Sequence, residues 1–158
     1  STNQMDRIRE VALQCEGTVL DLGAGLGKLG VMLKELGKIP NINYPEEYLA
    51  IDIKKNYVKY IVEQLKLKAI VEDSRNLKFF KDKGYDTVVV ADGIEHYDNF
   101  GEVIKEACRI AKKKVIITLC NNSKDPPWHL WNINWKSISD GHWLVVDFTK
   151  LDNEGNKV

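Results

Sequence analysis

Apolar residues along this chain follow two alternating patterns, one spaced three and four apart and one in short unbroken runs. In residues 3–15, Met5, Ile8, Ala12 and Cys15 share one helical face, and Gly17 ends the segment. Residues 18–22 form a short apolar run that reads as a first strand. It meets a cluster of glycines, Gly23, Gly25, Gly27 and Gly30, after which Val31, Leu33 and Leu36 mark a helix that Gly37 stops. The prolines and asparagines of 38–47 predict a loop. A second strand is expected at 48–53, a helix at 55–67 with Val58, Ile61, Val62 and Leu65 on one side, and a third strand at 68–71. The strongly apolar stretch 85–91 predicts a fourth strand, 100–111 a helix, and 115–119 a fifth strand.

Strands that are apolar throughout are buried on both faces, and their alternation with helices predicts an α/β fold. The expected architecture is a mostly parallel, doubly wound sheet with helices on both faces, because right-handed crossovers place them there. After residue 120 the character changes. Residues 121–142 mix turn formers with aromatics, 143–148 reads as a strand, and Asn153-Glu154-Gly155-Asn156 reads as a turn. A last strand only begins at Lys157-Val158, so the final strand is expected to be incomplete. One domain is expected for 158 residues, divided into an N-terminal helix (1–16), a core (17–120) and a segment on the acceptor side (121–158).

Charge narrows the function. The chain has 23 basic and 23 acidic residues and a formal net charge of zero. A protein that binds phosphate backbones nonspecifically usually carries a basic excess, so nucleic acid is the less favoured partner. The cysteines Cys15, Cys108 and Cys120 are widely spaced and form no paired motif, which predicts reduced thiols rather than a disulfide frame or a zinc knuckle. No apolar stretch is long enough to cross a membrane, and residues 1–10 lack a signal-peptide apolar region. A cytoplasmic location is expected; the sequence does not fix an oligomeric state.

The chemistry concentrates where the first strand turns into the first core helix, at Asp21-Leu22-Gly23-Ala24-Gly25-Leu26-Gly27. Glycines there allow a tight turn and close approach of a ligand to the backbone. Gly25 to Gly30 also satisfies the dinucleotide pattern GxGxxG. Asp21 argues against a nicotinamide oxidoreductase, since a carboxylate suits a ligand ammonium and would oppose a pyrophosphate. Asp52, at the end of the second strand, is placed to accept ribose hydroxyls. Asp73-Ser74, after the third strand, can meet an adenine amino group. An isolated acid at a strand end is otherwise a turn or helix cap.

These residues, in this order, resemble the motifs of class I S-adenosylmethionine-dependent methyltransferases. The resemblance covers about residues 17–120 and includes Tyr85 to Asp92, which is similar to the family's fourth strand and the loop after it. It implies S-adenosylmethionine as cofactor, with Asp21 near the methionine amino end and Leu22, Gly23, Ala24 and Gly25 beneath the cofactor. Asp52 would hold the ribose, Ile53 would pack on adenine, Asp73 and Ser74 would take the adenine edge, and Asp92 and Gly93 would complete the site.

The methyl acceptor is less defined. Glu95 and His96 lie just beyond the fourth strand, where open α/β sheets bind ligands, and are candidates for orienting group and base. They can equally bond backbone at a turn. Asp92, Glu95, His96 and the later His129 could surround a metal, as in metal-dependent RNA methyltransferases, but Asp92 departs from that pattern and no metal is expected. Asp125-Pro126-Pro127-Trp128 resembles the tetrapeptide of enzymes that methylate base amino groups. It follows the fifth strand rather than the fourth, and that position favours a helix start. Trp128, Trp131 and Trp135 share helical spacing, which suits a packed stripe or, with His129 and His142 nearby, a lid. A methyltransferase acting on a small molecule is the expected function. The alternatives are a nucleic-acid methyltransferase and a noncatalytic partner protein of the same fold.

Overall fold

The computed structural model describes residues 2–38, 48–90, 100–120, 136–138 and 141–147. Its elements run α1 (Thr2–Gln14), β1 (Val19–Leu22), α2 (Lys28–Glu35), β2 (Tyr48–Asp52), α3 (Lys55–Glu63), β3 (Ala69–Val71), β4 (Tyr85–Val90), α4 (Phe100–Ile110), β5 (Ala111–Cys120), β6 (Lys136–Ile138) and β7 (Gly141–Asp147). One sheet has the order β3-β2-β1-β4-β5-β7-β6. The first five strands pair in parallel, and β7 pairs antiparallel with both β5 and β6. The expected doubly wound α/β architecture is therefore present.

Strand alternation sends side chains to two cores. On one face, Leu20, Leu22, Leu49, Ile51, Val88 and Val90 pack with Val103, Ile104, Ala107 and Ile110 of α4. On the other, Val19, Tyr48, Ala50, Val89 and Ile116 pack with Ile8, Val11 and Ala12 of α1, Leu29, Met32 and Leu33 of α2, and Ile61 of α3. Every residue of β1 and β2 is buried, which is why these strands lack a polar side.

Several boundaries differ from expectation. The third helix stops at Glu63 instead of 67, and Lys66 takes a left-handed φ of 56° to turn the chain. Leu65 and Leu67 still pack into the core from this turn, which is why their spacing mimicked another helical turn. Strand β5 begins at Ala111, four residues early, because Lys112 to Lys114 are strand rather than linker. Lys114 Nζ reaches the Gln14 carbonyl at 3.1 Å and Glu16 at 3.2 Å, tying β5 to the end of α1. A short strand β6 pairs with β7 within a stretch read as turns. The β6–β7 pair thus supplies the antiparallel edge; Lys157-Val158 lies outside the described residues.

The connection from β3 to β4 is held by α4. Arg109 donates to the carbonyls of Phe80 (2.7 Å) and Leu77 (2.9 Å) and to Asp82 and Glu106, while the Leu77 amide donates to Glu106 at 2.7 Å. Among the described residues, no helix is long and apolar enough to cross a membrane.

Candidate functional site

The carboxyl ends of β1 and β2 carry the glycine loop. β1 and β2 are in register with Asp21 beside Ala50 and Leu22 beside Ile51. The loop then folds over the end of β2. The amides of Gly23 and Ala24 both donate to the Ile51 carbonyl, at 2.8 and 2.9 Å. The Gly25 amide donates to Asp52 Oδ2 at 2.9 Å. Three successive amides are therefore spent on β2, so the loop is fixed. Gly23, Gly25 and Gly27 have φ of 70°, 58° and 77°, a region that side-chain-bearing residues rarely enter. Gly27 caps α2 without a side-chain bond.

Asp52 is a hinge between two backbone segments. Its Oδ2 takes the Gly25 amide, and its Oδ1 takes the Lys54 amide at 2.9 Å. The residue is only 8% exposed. Ile53 beside it is 57% exposed, an unusual exposure for isoleucine at the end of a buried strand.

Asp21 is more deeply placed, with 2% exposure. Its Oδ2 accepts a 2.6 Å hydrogen bond from the Tyr48 hydroxyl, itself buried. Burial pushes the Asp21 carboxyl up to about 7; the Tyr48 bond opposes the rise and the nearby Asp52 charge adds to it. Burial and the neighbouring Asp21 also drive the Tyr48 phenol well above its ordinary range, so it stays a donor.

The adenine-side candidates separate into two roles. Asp73 is held by Arg75, whose amide and guanidinium donate to both carboxylate oxygens at 2.7–3.2 Å. That side-chain bonding lowers the Asp73 carboxyl from its ordinary value. Ser74 is buried, and its hydroxyl has no hydrogen-bond partner among the described residues. The structure thus brings Asp21, Leu22, Gly23, Ala24, Gly25, Asp52 and Ile53 together at one end of the sheet, with Asp73 and Ser74 following the adjoining edge strand. Asp92, Gly93, Glu95, His96, His129 and the segment Asp125 to Trp128 lie outside the described residues, as do Trp131 and Trp135.

Sequence reasoning missed Tyr48 as part of this site. The signal was present: a tyrosine opening an otherwise apolar buried strand must find a partner for its hydroxyl. It also missed why Gly30 is glycine. A Cβ there would stand 2.9 Å from the Tyr48 ring and nearly against Leu67, so Gly30 makes room for the tyrosine rather than for a phosphate. Cys15 and Cys108 are free, and burial pushes Cys15 up to about 12 and Cys108 up to about 11, so neither thiol is a ready nucleophile.

With this geometry in place, comparison with known proteins is informative. A family model described as methionine biosynthesis protein MetW matches residues 5–152. A curated demethylmenaquinone methyltransferase of Thermotoga maritima is 30% identical over 115 residues, covering 72% of this chain and 47% of that protein. This chain therefore spans about half the length of that relative. A solved structure from Pyrococcus horikoshii OT3 matches with TM-score 0.64 and 23% identity, over 87% of this chain and 66% of that one. Magnesium protoporphyrin IX methyltransferase of Synechocystis PCC 6803, solved with bound S-adenosylmethionine, gives TM-score 0.65 and 17% identity, over 90% of this chain and 77% of that one. At these identities the solved structures share the fold.

Proposed function

Because the chain belongs to the MetW family, which has the class I methyltransferase fold, we propose that it is an S-adenosylmethionine-dependent methyltransferase acting on a small molecule. One observation carries the reading: a glycine loop fixed to β2 and flanked by two buried carboxylates, Asp21 and Asp52. The residues fit the cofactor. Among the described residues, a Cβ built on Gly25 meets nothing within 4 Å, so the loop presents open space there. The unpartnered Ser74 hydroxyl supplies a polar group for the adenine edge.

In this reading Asp21 holds the methionine ammonium and Asp52 the ribose hydroxyls, while Ile53 packs on the adenine. Leu22, Gly23, Ala24 and Gly25 form the floor. Asp73, clamped by Arg75, fixes the turn that presents Ser74. S-adenosylmethionine supplies an electrophilic methyl group on a sulfonium, open to direct displacement. The protein's task is to orient the acceptor and keep water out. Asp92, Gly93, Glu95 and His96 follow β4 in the sequence, and Asp92 and Gly93 are assigned to completing the cofactor site. Glu95 and His96 are assigned to orienting the acceptor and accepting its proton.

Zero net charge and two small-molecule methyltransferases among the relatives support a small-molecule acceptor. The test uses cofactor labelled in the methyl group, offered with a small-molecule cell extract or with purified RNA and DNA. Label should enter the small-molecule fraction. Label in nucleic acid would overturn the acceptor assignment, and label in neither would leave the noncatalytic partner as the better account.

A further inference from the structure

Tyr48 is buried, and its hydroxyl makes one of the shortest hydrogen bonds among the described residues. It stands on the same face of the sheet as Asp21, one strand over and two positions back in register. From there its ring runs along the strands, and its hydroxyl ends on the Asp21 carboxylate. Two features keep it in place. Its ring packs in the core formed with α1, α2 and α3. Gly30 leaves the space the ring fills.

We propose that Tyr48 is a positioning residue for cofactor binding, whose hydroxyl holds the Asp21 carboxylate ionised and oriented beneath the glycine loop. This deepens the methyltransferase reading and rests on it. A carboxylate has two acceptor oxygens, and Tyr48 engages Oδ2, so a ligand ammonium can use the lone pairs that remain. Among the described residues, the groups facing Asp21 are the Tyr48 phenol and Asp52 carboxylate from β2 and the Cys15 thiol just after α1. None brings a positive charge. Burial then favours the neutral acid, and the Tyr48 bond is the one contribution recorded against it. A cation arriving at the loop would complete the balance. Binding should therefore release a proton near neutral pH and tighten as pH rises through about 7.

The experiment is calorimetric titration with S-adenosylhomocysteine, which keeps the ammonium, between pH 6 and pH 9. It compares the unaltered chain with Tyr48→Phe, Asp21→Asn and the double variant. The phenylalanine keeps the ring and its packing, and a melting curve for each variant checks the fold. Tyr48→Phe should weaken binding about tenfold at pH 7, the scale of one hydrogen bond to a charged group. The loss should shrink to about threefold at pH 9, because the higher pH restores the ionised acid. In Asp21→Asn the pH dependence should vanish, and adding Tyr48→Phe should change little, since the two side chains act as one unit. A loss in Tyr48→Phe that is equal at every pH, or no loss, would overturn the role of Tyr48 while leaving the cofactor assignment intact. Failure of the unaltered chain to bind would instead strike the cofactor assignment itself.

Discussion

The two ends of the sheet each carry an aspartate on a parallel strand, half-buried at one end and buried at the other, and the contrast between them separates function from structure. At the amino end, Asp86 of β4 is satisfied by the chain. Its Oδ2 accepts the Thr18 amide at 3.0 Å and the Thr18 hydroxyl at 3.2 Å, and the same hydroxyl takes the Asp86 amide at 2.9 Å. Thr87 closes the same corner by bonding to both Glu16 backbone groups. At the carboxyl end, Asp21 has, among the described residues, a single neutral donor and no cation, and burial pushes its carboxyl up to about 7. Asp86 is bonded by its own chain at a closed corner and acts as a staple. Asp21, buried with one neutral donor among the described residues, is a candidate for a ligand.

The glycines repeat the contrast. Gly17 at the amino end and Gly25 at the carboxyl end both have left-handed φ, 63° and 58°. A Cβ on Gly17 would overlap the Asp86 carboxylate, whereas one on Gly25 would meet no described residue within 4 Å. One glycine lets the chain pack on itself, and the other leaves room for something else. A cleft of about 370 Å³ does lie at the amino end, lined by Cys15, Thr18, Lys38 and Asp86. Lys38 there caps α1 by donating to the carbonyls of Leu13 and Cys15 at 2.8 and 2.7 Å, and Asp86 is spent on Thr18. That cleft therefore holds satisfied groups, and its size alone does not make it a ligand site.

Substitutions at the two ends should pull stability and binding apart. The largest effect is expected for Asp52→Ala, which removes the proposed ribose acceptor and frees the amides of Gly25 and Lys54. Affinity for S-adenosylhomocysteine should fall about 100-fold, the scale of two hydrogen bonds to a charged group, with a much smaller change in thermal midpoint. Gly17→Ala should do the reverse. Urea unfolding should show a loss of about 2 kcal/mol from strain and the displaced Asp86, with affinity in the folded protein unchanged.

Next comes the pH dependence of the ligand-free protein. Asp21 has a folded-state value near 7 against an ordinary value of 3.8. A raised value means that the neutral acid favours the fold, so this contribution is full below pH 3.8 and fades as pH rises through about 7. Asp21→Asn should flatten that decline and gain about 1–2 kcal/mol at pH 8, read from urea curves at several pH values. The smallest expected effect is that of Gly25→Ala: about 1 kcal/mol of stability, with a several-fold weaker affinity because the methyl group enters the open floor of the loop. Equal effects of Gly17→Ala and Gly25→Ala on binding would erase the distinction between the two ends.

Much of the carboxyl end was legible in the sequence. Continuous apolar runs fixed the buried strands, and the acids at their ends stood out as polar residues where burial was expected. The glycines between β1 and α2 announced the turn. Elsewhere the signal failed for physical reasons. Lys112 to Lys114 look like a solvated linker, but their strand is held partly by Lys114 bonding to α1, a contact between distant segments. The short strand Lys136–Ile138 has a polar sequence whose pairing with β7 sets its conformation. The end of α3 depends on a lysine in a left-handed turn, where a glycine would have marked the stop. Tyr48 was hidden because tyrosine in a buried strand reads as ordinary packing until its hydroxyl is followed.

The central claim is that the carboxyl end of the sheet binds a sulfonium nucleoside cofactor rather than a dinucleotide. Equilibrium titration of the unaltered chain with S-adenosylhomocysteine and, separately, with NAD tests it directly. The predicted result is saturable one-to-one binding of S-adenosylhomocysteine and no heat from NAD. Binding of NAD alone, or of neither by a chain that melts cooperatively, would contradict the account.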